Sequence, residues 1–132
     1  MRLDDTNDIR QDILDWSDPL VGDRLSEAYD ICFGGNMELC RPMTRQHSRV
    51  WRMIIGGDKR RAADARRDLL RLARACRLSV EALDSIDRLV LDELVDVIAA
   101  RFQGSPANTR LYNRLMVEAS ATLVETRLTA AA

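Results

Sequence analysis

The sequence predicts an all-α fold, and three observations carry that expectation. Apolar residues recur at intervals of three and four along successive segments. The three prolines and six glycines fall largely where one such segment gives way to the next. No segment alternates convincingly with a period of two, so strands are not expected. A length of 132 residues suits one domain spanning 1–132, and 46% apolar with 31% charged residues fits neither a disordered chain nor a membrane protein.

The segments follow in order. Residues 1–17 are expected to form at most a loosely attached N-terminal helix. Asp18-Pro19 places a capping acid before a proline at a first helical position. Leu20, Leu25, Ala28, Ile31 and Cys32 then follow at helical spacing until Gly34-Gly35. Arg41-Pro42 opens a second helix carrying Met43, Val50, Trp51, Ile54 and Ile55, and Gly56-Gly57 closes it. The third runs from Asp58 to Arg77, with Ala62, Ala65, Leu69, Leu72, Ala73 and Cys76 on one face and its arginines mainly on the other. Ser79 caps a fourth, whose stripe is Leu83, Ile86, Val90, Leu94, Val97 and Ile98 and whose end lies near Phe102.

Gly104-Ser105-Pro106 breaks the chain and starts a last helix over about 106–128, with Leu111, Leu115, Ala119, Thr122 and Leu123 on one side. Met116, Val117, Val124 and Leu128 widen its apolar surface beyond one seam. A helix apolar over so much of its circumference wants more than one neighbour. A homodimer is therefore expected through the two long C-terminal helices, with Leu94, Ile98, Leu111, Leu115, Ala119 and Leu123 at the interface.

Charge is unevenly spread although the net charge is only −1. Residues 1–30 hold nine acids against three arginines, 59–77 hold eight bases against two acids, and 81–96 hold six acids against Arg88 alone. Neighbouring helices are expected to offset these blocks, with most of the charge on solvated faces. The stretch 72–94 superficially resembles a helix–turn–helix behind an arginine-rich helix, which makes a small DNA-associated protein the third reading. Arg66, Arg67 and Arg71 are its phosphate contacts, but the second helix carries Glu81, Asp84, Asp87 and Asp92, which a phosphate backbone would repel. Nucleic acid is not an expected partner.

Chemistry-bearing residues are sparse. A lone His47 cannot build a two-histidine metal site, and Cys32, Cys40 and Cys76 lack zinc-ligand spacing. An odd, sparse cysteine set does not read as a disulfide framework and places the chain in the cytoplasm. There is no phosphate-binding loop. No apolar run nears the roughly 20 residues that span a bilayer, and the acidic opening lacks the pattern of a signal peptide. No constellation points to an enzyme.

The stretch from Thr44 to Glu93 resembles the bacterial sensor globins, the globin-coupled sensor family related to protoglobins. The likeness rests on the run from Trp51 to Gly57 (WRMIIGG), on Arg71 to Cys76 (RLARAC) at the place of the family's proximal signature, and on Ile86 to Leu94 (IDRLVLDEL). Leu25 to Phe33 (LSEAYDICF) resembles the early helix that offers a distal tyrosine, and Leu115 to Glu125 (LMVEASATLVE) the helix that enters the family's dimer interface. About 100 residues are covered.

The resemblance implies a globin-like helical domain with long C-terminal helices. It implies signalling through a homodimer, and a signalling protein partner or an appended output domain. The departures are specific: Cys76 stands where the proximal histidine is expected, Ala73 replaces the glycine of that signature, and Val50 stands where many relatives carry another histidine. The loss of histidine points first to a domain without haem. The alternative is a haem-binding gas or redox sensor with Cys76 as axial ligand, its thiolate favoured by Arg74 and Arg77. Tyr29 and Trp51, with Cys76, are the residues expected around haem or an apolar ligand if either is bound.

Overall fold

A computed structural model describes residues 3–131 and shows five α-helices, with no strand among the described residues. They are α1 (Leu3–Phe33), α2 (Met37–Ile55), α3 (Lys59–Ala75), α4 (Val80–Arg101) and α5 (Pro106–Ala131). Each of α2 to α4 begins on a side-chain cap: Asn36 accepts from the Glu38 amide, Asp58 from Arg61 and Ser79 from Ala82.

The two internal prolines are where the first two helices depart from expectation. Pro19 lies within α1 and Pro42 within α2. Residues 3–17 are thus continuous with the rest of a 31-residue helix, in which Ile13 and Ser17 are already buried. Pro19 removes one i→i−4 hydrogen bond and crowds the preceding turn. Packing outweighs that cost, because Ile13, Ser17, Val21, Leu25 and Tyr29 recur every fourth residue and bury one ladder on both sides of the proline. Each fully buried aliphatic residue contributes about 1.5–3 kcal/mol. Asp18 caps nothing; its carboxylate pairs with Arg52 of α2 at 3.2 Å. Asn36 caps α2 six residues ahead of Pro42.

Two helix ends share one geometry. After α2, the Asp58 amide bonds to the Met53 carbonyl and Gly57 to Ile54; after α3, Leu78 bonds to Ala73 and Arg77 to Arg74. Both are Schellman motifs, which need a left-handed residue just past the cap. Gly57 supplies it at φ +80°, whereas Arg77 adopts φ +61° despite its side chain.

The helices α1, α2 and α3 pack side by side in chain order, while α5 lies against α2, α3 and α4, and α4 also meets α1. One core cluster draws on all five, with Trp51, Tyr29, Leu69, Leu83 and Leu94 among its deepest members. No helix among the described residues is long and apolar enough to cross a membrane.

Candidate functional site

The centre of the core is polar. His47, Arg66 and Asp87 are each at most 1% exposed, and each occupies a position that helical spacing assigns to an apolar stripe. In α3, Arg66 falls between Ala62 and Leu69; in α4, Asp87 falls between Leu83 and Val90. An unpaired charge at such depth costs several kcal/mol, so the partners decide whether the fold tolerates it.

The partners are complete around Asp87. Its Oδ1 accepts from Trp51 Nε1 at 3.0 Å and lies 2.6 Å from His47 Nε2. Its Oδ2 accepts from Arg66 Nη1 at 2.7 Å and Arg127 Nη2 at 3.2 Å. His47 Nδ1 in turn lies 2.6 Å from the Tyr29 hydroxyl. An ionised carboxylate only accepts hydrogen bonds, so Nε2 carries a proton toward Asp87, and Nδ1 faces the Tyr29 hydroxyl. Asp84 forms the outer layer, 3.2 Å from Arg66 and 3.1 Å from Arg127. Tyr29 lies on α1, His47 and Trp51 on α2, Arg66 on α3, Asp84 and Asp87 on α4, and Arg127 on α5, so this one cluster joins all five helices.

The electrostatics follow from the same contacts. Burial opposes ionisation of Asp87, but His47, Arg66 and Arg127 more than offset it and hold the carboxyl well below the usual carboxylate range. Burial, and then the Asp87 charge, push the Tyr29 hydroxyl far above its ordinary value. Tyr29, His47 and Asp87 have no exposed surface, so a solvent-borne reagent does not reach their polar atoms in this conformation.

The residues expected around a cofactor do not assemble into a haem pocket. Tyr29 and Trp51 are fully buried and tied into the Asp87 cluster, whereas Cys76 is the half-buried C-cap of α3 and outside that cluster. Haem would also need a gap between helices. Instead α2 packs directly on α3, and Gln46 Nε2 donates to the Ala65 carbonyl at 3.0 Å across their junction. These residues do not fit haem. No group of three or more His, Cys, Asp and Glu side chains among the described residues is arranged to hold a metal ion.

The residues expected at a dimer interface are placed differently as well. Leu94, Ile98, Leu115, Ala119 and Leu123 are buried within the chain's own core, and Leu111 is half-buried. Their stripe faces the other helices because a five-helix core needs it there. The apolar residues that α4 and α5 turn to solvent are Val80, Leu89, Val95, Val117, Val124 and Leu128. Leu91, Val95, Met116 and Val117 line a groove of about 270 Å³ between the two helices.

The basic block is largely neutralised. Arg66 is buried against Asp84 and Asp87, Arg67 pairs with Asp64, and Arg71 lies 3.6 Å from Asp68. The expected offset between the 59–77 and 81–96 blocks takes place through Arg66. Charge counts missed its depth, although its place on the stripe of Ala62, Leu69 and Ala73 was readable.

No family model, curated protein or solved structure matches this chain.

Proposed function

We propose that this chain is a regulatory module of sensor-globin type that works without haem, forming a homodimer through the outer faces of α4 and α5 and acting on a protein partner. The observation that carries this reading is the exposed apolar surface of those two helices. Val95 on α4 and Val117 on α5 are each more than 40% exposed and line one groove with Leu91 and Met116. Clustered apolar surface of this kind is costly to leave in water and commonly marks an interaction site. A second copy presents the same patch, so a two-fold arrangement buries both at once.

The interior supports the haem-free part of the reading. Tyr29 and Trp51 spend their polar atoms on His47 and Asp87, leaving neither to a cofactor. The neutralised arginines make phosphate binding the weaker alternative.

Sedimentation velocity tests the dimer. The expected result is a concentration-dependent dimer that Val117→Glu converts to monomer without loss of helicity. A wild-type chain still monomeric at high micromolar concentration overturns the reading. Absorption spectra before and after hemin addition test the cofactor: no retained Soret band is expected. A stable band abolished by Cys76→Ala would restore the haem-sensor alternative.

A further inference from the structure

A second groove, of about 420 Å³, opens where α3, α4 and α5 converge. Its apolar lining comes from Leu70, Val80, Val124 and Leu128. Three of these are among the most solvent-exposed large apolar residues of the chain, at 50%, 51% and 69% for Val80, Val124 and Leu128. Exposed aliphatic residues scatter singly on most proteins; here they converge on one concavity of the size that small-molecule sites occupy.

The charges in its wall are one-sided. Arg66 and Arg127 are balanced by Asp84 and Asp87. Arg74, which also lines the groove, makes no ion pair among the described residues. Arg127 Nε is buried and lies 3.1 Å from Asp84 Oδ1, so that guanidinium is taken up within the protein. The wall therefore holds one surplus positive charge, at Arg74, beside an aliphatic lining.

We infer that this groove binds a single-tailed amphiphilic anion, its tail along Val80, Val124 and Leu128 and its acidic head at Arg74. Charge complementarity selects the anion, and the aliphatic lining selects the tail. A concave site of this size suits one free molecule better than a flat bilayer surface. The inference does not rest on the dimer, because Leu89, Val95 and Val117 are not part of this groove.

Isothermal titration calorimetry with sodium decanoate, kept below its aggregation range, tests the site. It is run on the full chain in both wild-type and Val117→Glu backgrounds, with decanol and decyltrimethylammonium as comparison ligands. One saturable decanoate site per chain is expected. Arg74→Gln should weaken it about tenfold or more, the size of one charge-assisted hydrogen bond, and Val124→Asp should abolish it. Both residues are exposed, and circular dichroism checks that the variants stay folded. Equal affinity for the cationic amphiphile, or no effect of Arg74→Gln, overturns the inference. So does decanoate affinity that falls as protein concentration rises, which would assign the groove to a second copy. Co-sedimentation with phosphatidylglycerol vesicles in the absence of decanoate binding overturns it in favour of a membrane surface.

Discussion

His47 Nε2 lies 2.6 Å from Asp87 Oδ1, and neither side chain has exposed surface. A buried carboxylate held this way is strongly coupled to its neighbours, and its loss leaves two guanidiniums with an acceptor missing. Asp87→Ala is expected to destabilise the fold by about 3–5 kcal/mol, the usual cost of breaking a buried ion pair from one side. Urea denaturation followed by circular dichroism measures it. A loss below about 1 kcal/mol would mean that water replaces the carboxylate.

The outer end of the chain of contacts should cost less. Tyr29→Phe removes one hydroxyl and leaves His47 Nδ1 without its partner. A loss of about 1–3 kcal/mol is expected, the penalty of one unsatisfied buried polar group. The same denaturation curves report it.

Acid should act through Asp87. Its folded-state pKa is depressed below the unfolded value of about 3.9. The stability it contributes is present above that value and is lost as pH falls through the folded-state pKa. Wild-type stability should therefore drop steeply below about pH 4, and Asp87→Asn should flatten that part of the curve while lowering stability at neutral pH. Parallel curves for the two proteins would remove Asp87 as the acid-sensitive group.

Both tyrosines should resist alkaline titration. Tyr29 is raised by burial and the Asp87 charge, and Tyr112 is pushed up to about 12 by burial and its hydrogen bond to Asp12. Because folded-state values lie above the unfolded ones, this stability is present below about pH 10 and lost as pH rises through them. Ultraviolet titration should show tyrosinate appearing late and together with loss of helix. An early half-amplitude step would place one of the two phenols in water.

The two Schellman ends predict opposite responses. Arg77 holds φ +61°, so Arg77→Gly should stabilise by about 0.5–1 kcal/mol. Gly57 holds φ +80°, and a Cβ there would lie 3.1 Å from the Arg10 guanidinium, so Gly57→Ala should destabilise by about 1–2 kcal/mol. Thermal melts of the pair separate these effects.

Helix ends were the most legible part of the sequence. Asp58, Ser79 and Pro106 start α3, α4 and α5 where their chemistry says they should. Pro19 and Pro42 misled, because a proline reads as a first-turn residue unless the packing around it is known. The polar centre was legible in position but not in partnership. Arg66 and Asp87 each lie on an apolar stripe, yet each is embedded in a run of like charges that reads as a solvated face. Only the tertiary fold, which brings the Arg66 side chain of α3 to Asp87 of α4, closes the two to 2.7 Å.

That one carboxylate gathers donors from α2, α3 and α5, and Tyr29 of α1 through His47, also bears on how the fold is reached. During synthesis, α5 follows the other four helices in time. Until Arg127 arrives, Asp87 lacks one of its counter-charges and the half-made core is open at its most polar point. Docking of α5 therefore completes the charge balance of a core to which the other four helices already contribute.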